Sequence, residues 1–498
     1  MRVGELLAFI LYFVAMLGVG FYFMFKSKME SESGYFLGGR QMGPFVTAMS
    51  AQASDMSGWL LMGLPGSILA LGFGEVWIAI GLALGTYFNW LFIAGRLRKF
   101  SQSAGDSITI PQYLNNRFKS SGKVLQVVAA IIFLVCLTVY VASGFKAGAA
   151  LFQSVLGIKS TALAMGIFAI IMLAYNFMGG FNAVCWTDFF QALLMLGAVV
   201  FVPVFISFSG LNGEGAIDFS SITATNPNYF NLLPSGKLDW ESISAILSGL
   251  AWGLGYTGMP HILVRFMSIK SSKMIKTSRR VAMVWVVLTL AMAVFIAVVG
   301  RVVFPELITN GEEEMVFIKM VRTVFPAFIS GIFLSAILAA AMSTADSQLL
   351  VASSAFTCDI YKPIINKNAT EKQIMWMGRL VVIIISIVAF IIAVIPGSGN
   401  IMSLVENAWA GFGAAFGPVI ILSLYWKKFT YKGAVSGMIA GGLTVVLWII
   451  FLSKPTGLYE LFPGFIVGMI ACVVGSLLDK KDNSLAEQVY ETAVKFEE

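Results

Sequence analysis

Ala51-Gln52-Ala53-Ser54-Asp55-Met56-Ser57-Gly58-Trp59 places a carboxylate inside the otherwise apolar run Gly43–Gly72. An ionisable group at membrane depth costs at least about 2.5–3.5 kcal/mol on insertion scales, so it faces protein or a water-filled cavity and marks an ion or substrate path. The rest of the chain is a string of similar runs. Of 498 residues, 58% are hydrophobic and 12% charged, and the 33 Lys and Arg are too sparse for nucleic-acid binding. A hydrocarbon core about 30 Å thick is crossed by about 18 or more apolar residues at about 1.5 Å each, and about thirteen such runs are present. They lie near residues 5–25, 43–72, 74–95, 124–156, 161–178, 187–208, 240–268, 279–304, 322–357, 374–396, 400–425, 432–453 and 459–478. The runs are continuous rather than alternating, which predicts an all-α membrane protein and not a barrel.

The first run is too long for a cleaved signal, and its positive flank, Lys26 and Lys28, follows it. That flank predicts an external N-terminus, and an odd number of spans then leaves the C-terminus in the cytoplasm. Inner segments, including Arg96–Lys99, Lys270–Arg280, Lys427–Lys432 and Lys480-Lys481, carry about 24 Lys and Arg against about seven outside, as the positive-inside rule requires. Cys136, Cys185, Cys358 and Cys472 are scattered and imply neither a metal site nor a disulfide framework. The single histidine, His261, reads as structural, with a pathway role as the alternative. The outer loop 209–239 is polar and acidic, and Ile108-Thr109-Ile110-Pro111 marks a local break. The tail after Leu478 reads as solvated, with a short amphipathic helix as the alternative.

A second interruption lies in 240–268. Trp252-Gly253-Leu254-Gly255-Tyr256-Thr257-Gly258-Met259-Pro260 holds three glycines and a proline, which weaken a regular helix. The two interrupted spans are the second and the seventh. Matching breaks five spans apart point to an inverted repeat of five helices, about 43–208 and 240–425, with one span before and two after. Kinks and close helix packing are the plainer reading of the same glycines. A third element, Ala340-Ala341-Met342-Ser343-Thr344, sets two hydroxyls one turn after the Ala340 carbonyl. A sodium ion needs several oxygens in place of its water shell, and an opened helix frees carbonyls. Ala53 and Met56 facing Ala340, Ser343 and Thr344 would make a five-oxygen cage. Small hydroxylated residues also serve helix packing and bond back to the preceding turn.

Along nearly its whole length the chain resembles the sodium:solute symporter family. The resemblance rests on Tyr35-Phe36-Leu37-Gly38-Gly39-Arg40, on Ser54-Asp55-Met56-Ser57-Gly58-Trp59 running on to Gly66, and on Trp252–Tyr256. It also rests on Pro260-His261-Ile262-Leu263, Leu334–Ala340 and Trp409–Pro418, and on Gly179-Gly180-Phe181 followed by Trp186-Thr187-Asp188 and Gln191. It implies two inverted five-helix repeats of the LeuT type and a single polytopic transporter domain. It further implies a sodium site of the Ala53, Met56 and Ala340 carbonyls with the Ser343 and Thr344 hydroxyls, and a part for Asp55 in sodium-dependent transport. Ser57, Gly58, Trp59, Tyr140, Trp252, Tyr256 and Pro260 are the implied solute-binding residues. Aromatic faces and a proline ring suit a compact, partly apolar amino acid, and the Trp252–Tyr256 segment points to L-proline. Half-helix N-termini would hold its carboxylate and aromatic faces its amine. Other amino acids, pantothenate and small organic acids are the alternative solutes.

Three further charges are pathway candidates. Arg40 either gates the inner path or follows the positive-inside bias. Asp188 reads as a helix cap at the start of a span, with a sodium-exit role as the alternative. Asp346, three residues after Ser343, either attracts departing sodium or is a solvated residue of the exit path. The expected function is sodium-coupled import of L-proline across the plasma membrane by alternating access. The expected partners are Na+ as coupling ion, the solute and the bilayer, with no other cofactor, no nucleic acid and no obligatory protein partner. An enzyme would need a nucleophile with a base, or a metal cluster, at membrane depth, and one histidine with no acid pair supplies neither. A channel would need a continuous polar path. A transporter-like sensor would carry a signalling domain, for which the segment after Leu478 is expected to be too short.

Overall fold

The computed structural model describes residues 2–26, 31–119, 122–176, 180–211, 213 and 215–496; Lys28 and Gly179, both used above, lie outside the described residues. Among the described residues the chain is helical, and its only β pairing is an isolated bridge between Met42 and Ile269. Nine of the described helices are long and apolar enough to cross a membrane by length and composition. Trp59–Leu71, Thr161–Tyr175 and Leu461–Leu477 are shorter apolar helices.

Both expected interruptions are present. The helix Pro44–Asp55 ends at Met56 (φ −86°, ψ 84°), and the chain resumes through a π-helical turn, Trp59–Gly63, into Leu64–Leu71. The helix Trp240–Gly255 ends before an extended Met259 (φ −73°, ψ 108°), and Pro260 opens the helix Pro260–Ser268. Proline suits that position, because its missing N–H falls where the first turn has no helical acceptor. Between the broken helices runs Ala327–Phe356, every residue of which from Leu334 to Ala355 is buried. It packs on Val3–Lys26, Val124–Leu156, Phe181–Ser209 and Pro44–Asp55.

Four boundaries differ from the sequence reading. The span expected from residue 187 begins at Phe181, where an extended Gly180 precedes it. Asp188 is therefore inside the helix and caps nothing, and the Thr187 hydroxyl donates back to the Ala183 and Val184 carbonyls at 3.0 and 2.9 Å. The run 322–357 divides at Phe325-Pro326, because the residue before proline is held extended. The helix expected to stop near 95 continues through the turn Asn89–Ile93 to Ser103. The tail forms the helix Ser484–Lys495, not a solvated segment. Ala486, Val489 and Ala493 give it one apolar face, Arg117 donates to the Ala486 carbonyl at 2.7 Å, and Lys427 bridges Glu487 and Glu491.

One crossing depends on glycine outright. Gly81 and Gly85 face Gly249 and Gly253, and a Cβ on Gly85 would lie 2.3 Å from the Gly253 Cα. Paired small residues four apart let two helix backbones touch, and dispersion is collected along the contact. Gly85→Val is expected to force the helices apart at a cost of about 1–3 kcal/mol. A lowered thermal midpoint of the detergent-purified protein would show it; an unchanged midpoint would mean that the crossing is not tight.

Candidate functional site

At the first interruption the Asp55 carbonyl leaves the helical ladder and accepts two side-chain donors, the Trp59 indole N–H and the Tyr140 hydroxyl, each at 3.1 Å. The Asp55 carboxylate reaches across to the second interruption, where Oδ2 accepts the Tyr256 hydroxyl at 2.6 Å. The Tyr256 carbonyl in turn accepts Asn89 Nδ2 at 3.0 Å. The two broken helices are thus joined through one fully buried carboxylate whose second oxygen, Oδ1, has no hydrogen-bond partner. Small residues let the breaks come this close: a Cβ on Gly58 would lie 2.6 Å from Ala147 Cβ, and one on Gly255 2.0 Å from the Trp409 indole nitrogen.

Beside the first break the Ala53 carbonyl accepts the Ser343 hydroxyl at 2.8 Å and the Thr344 hydroxyl at 3.2 Å. Ser343 also lies 3.3 Å from the Ala340 carbonyl. Four of the five expected cage groups are therefore one cluster. The fifth, Met56, closes the same helix, and the Thr289 hydroxyl contacts its sulfur at 3.5 Å. The set is neutral, oxygen-rich and buried, which suits a hard monovalent cation that must lose its water. The Asp55 carboxylate is bonded to Tyr256 and not to this cluster.

The expected solute residues divide into two layers. Trp59, Tyr140, Tyr256, Ser57, Gly58 and Pro260 are buried around the two breaks. Trp252, one turn before Tyr256, lines a cavity of about 490 Å³ with Glu75, Glu241 and Glu406 and stacks on Tyr459 at 5.2 Å. Trp409 fastens the layers together, because its indole donates to the Trp252 carbonyl at 2.8 Å and its ring stands edge-on to Tyr256 at 5.1 Å. Trp409 and Asn89 were not expected in this role. Asn89 carries no local signal, and Trp409 stands in the Trp409–Pro418 segment of the resemblance without a sign of this contact, since only the fold brings them to the break.

On the other side of the Ala53 cluster is a buried ion pair. Asp188 Oδ2 accepts Ser50 Oγ at 2.7 Å and Arg265 Nη2 at 3.2 Å, with both charged side chains fully buried. Arg265 also donates to Ser50 Oγ, to Ser347 Oγ and to the His261 carbonyl. The sequence reading missed Arg265, although a lone cation in the apolar run 260–268 carries the same warrant as Asp55. Asp346 is fully buried, which corrects the reading of it as solvated. Arg40 is a fastening point: it pairs with Asp106 at 2.8 Å and donates to the Met267 and Ser107 carbonyls. His261 is buried, edge-on to Tyr140 at 6.0 Å, with neither ring nitrogen hydrogen-bonded. Removing one member of a buried pair strands the other charge, at a cost of about 3–5 kcal/mol. Arg265→Met should therefore destabilise the folded protein strongly, and Arg265→Met with Asp188→Asn should recover most of the loss. Thermal midpoints of the single and double variants measure this, and additive losses would deny the coupling.

A model of the sodium:solute symporter family matches residues 35–441. The sodium/proline symporter of Haemophilus influenzae is 45% identical, over 99% of this chain and 98% of its own. The osmoregulated proline transporter of Bacillus subtilis is 43% identical, over 95% of this chain and 94% of its own. Among solved structures, a Na+-coupled sialic acid symporter in a substrate-bound outward-open state is similar in fold, with a TM-score of 0.78 at 20% identity over 96% of this chain and 98% of that one.

Proposed function

The chain belongs to the sodium:solute symporter family, and on that footing we propose that it is a sodium-coupled symporter that imports L-proline. The observation that carries the reading is the Ala53 carbonyl held between the Ser343 and Thr344 hydroxyls beside an opened helix. The solute assignment is supported by two relatives named for proline over nearly the full length of the chain, and by the aromatic and proline side chains about the breaks. The protein is a transporter of the plasma membrane and crosses it many times.

Nine long helices, with two broken ones and two short ones, would together make thirteen crossings. Two inverted five-helix repeats, about 43–208 and 240–425, would be preceded by one crossing and followed by two. The basic segments then lie inside, with the N-terminus outside and the C-terminus in the cytoplasm. Sodium takes the Ala53, Met56 and Ala340 carbonyls and the Ser343 and Thr344 hydroxyls. Asp55 acts next to this cage: it holds the opened segment against Tyr256 and so couples the ion site to the solute site. Proline packs among Trp59, Tyr140, Tyr256 and Pro260 against the Ser57-Gly58 backbone, with Trp252 as the outer cover. Its carboxylate meets backbone N–H groups at the half-helix N-termini. Arg40, Asp188 and Asp346 line the inner route. Sodium binds first from outside, proline follows, closure covers both, and one bundle then rocks against the other to open inward. An inside-negative potential, worth about 2.3 kcal/mol per charge per 100 mV, draws sodium on.

Labelled proline uptake into vesicles, driven by imposed sodium, lithium, proton or potassium gradients, tests the coupling ion, and equal uptake on a proton gradient without sodium overturns it. A competition panel of other amino acids, pantothenate and small organic acids tests the solute. Ser343→Ala and Thr344→Ala should each raise the sodium concentration for half-maximal uptake by about tenfold or more, the worth of one contact to a charged group, while the proline requirement moves less. Trp252 and Tyr256 substitutions should act in the opposite sense. If both sets shift sodium alone, the solute assignment fails. Asp55→Asn should depress sodium-driven uptake while the protein still reaches the membrane, and an unaltered sodium affinity would refute its coupling role.

A further inference from the structure

Asp359 is fully buried in the π-helical turn Thr357–Ile365, which continues the helix that carries Ser343 and Thr344. Two donors meet one of its oxygens: Thr109 Oγ1 at 2.9 Å and Gln126 Nε2 at 2.8 Å both donate to Oδ1. Asp359 Oδ2 has no hydrogen-bond partner, and neither has Gln126 Oε1, although Gln126 is only 3% exposed. The amide cannot turn over to help, because that would set its oxygen against the carboxylate. Pro363 has no N–H for the Cys358 carbonyl five residues before it, so the wide turn leaves its ladder open beside Asp359. Among the described residues no Lys or Arg makes an ion pair with Asp359. Lys362 is spent on Glu32, and Lys123 is exposed. A buried negative charge and a neighbouring amide oxygen are thus left without a donor or a cation. A water could donate to both oxygens, but it would leave the charge uncompensated, which burial strongly disfavours.

We propose that Asp359 and Gln126 bind an alkali cation through Asp359 Oδ2 and Gln126 Oε1. One carboxylate among neutral oxygens suits a monovalent ion, which exchanges its water shell for such groups. A divalent ion takes more acids, and among the described residues no three acidic, His or Cys side chains are grouped to hold one. The site is separate from the Ala53 cluster, because Asp359 lies about 20 Å beyond Thr344 along the helix at about 1.5 Å per residue. It joins three elements. Thr109 caps the helix Ile110–Arg117, Gln126 lies in the first turn of Val124–Leu156, and Asp359 belongs to the turn that continues Ala327–Phe356. The ion holds these ends together and so steadies the end of the helix on which Ser343 and Thr344 stand. In the topology proposed above the three ends meet the cytoplasm, but the site itself does not rest on the symporter reading.

Equilibrium binding of labelled rubidium to the detergent-purified full chain tests the site, with N-methylglucamine keeping the ionic strength constant. One ion per chain is expected, displaced by potassium and by sodium, and the order of displacement tells which of the two occupies the site in the cell. Asp359→Asn should weaken rubidium binding by about tenfold or more, the worth of one contact to a charged group. Gln126→Met keeps the carboxylate, removes the amide oxygen and should weaken binding by about as much. Ser343→Ala with Thr344→Ala should leave it unchanged; loss there would place the ion in the Ala53 cluster and overturn the proposal. Absence of binding to the unaltered protein overturns it too, as does unaltered binding in Asp359→Asn or Gln126→Met, and the buried oxygens then hold water or a proton only. Should Asp359→Asn not fold, Gln126→Met decides, together with the thermal midpoint of the unaltered protein, which must rise when rubidium replaces N-methylglucamine. Failure of the symporter reading is separate, because sodium-driven proline uptake would then be missing while rubidium binding remained.

Discussion

The hydrogen bond from Tyr256 to the Asp55 carboxylate ties together two pieces of backbone that a membrane would not otherwise tolerate. Non-helical segments survive at membrane depth only where their polar groups are satisfied by protein or cavity water. Here the accounting is local. The Asp55 carbonyl takes Trp59 and Tyr140, the Tyr256 carbonyl takes Asn89, and the Trp252 carbonyl takes Trp409. Each donor comes from an aromatic or amide side chain on a neighbouring turn or helix. The breaks are therefore built features, and the cost of opening two helices is offset by side chains that would have little reason to be there otherwise.

In the proposed reading the same links would set the distance between ion and solute. Ala53 and Asp55 are two residues apart on one helix end; the first meets Ser343 and Thr344, the second meets Tyr256. An ion drawing on the Ala53 carbonyl would act on the same helix end whose Asp55 holds Tyr140 and Tyr256. Coupling of this kind is reciprocal, because solute contacts that order the Asp55–Tyr256 link must favour the ion by the same factor.

The breaks were legible in the sequence because their causes are local. Glycine and proline at 253–260, and a charge at 55 in an apolar run, announce themselves without a partner. The Ala53 cluster was half legible: the spacing of Ala340, Ser343 and Thr344 is set by one helix, but that Ala53 faces them is a fact of packing. The contacts of Trp409 and Asn89 with the second break were invisible for the same reason. Arg265 was legible and passed over, although it obeys the rule that singled out Asp55. Asp188 was misplaced because an apolar run does not reveal where its helix starts; Phe181 and an extended Gly180 extend the element past the expected edge. The tail helix fails the simple polarity argument because three small apolar residues on one face, with Arg117 beneath them, are enough to seat it.

The two sides of the site are closed by different physics. Toward the cavity that Trp252 lines, the cover is aromatic: Trp252 stacks on Tyr459, Trp409 lies tilted against Trp252, and the Trp409 indole donates to the Trp252 carbonyl. Such a layer opens by sliding, with dispersion given up gradually and no charge exposed. Past the Ala53 cluster the seal is ionic, with Arg265 against Asp188 and Arg40 against Asp106 and two carbonyls. A buried ionic seal is cooperative, because freeing one partner strands the other until water arrives. Alternating access needs that asymmetry. If both covers slid easily, both would be open for part of the time, and sodium would leak down its gradient without its solute.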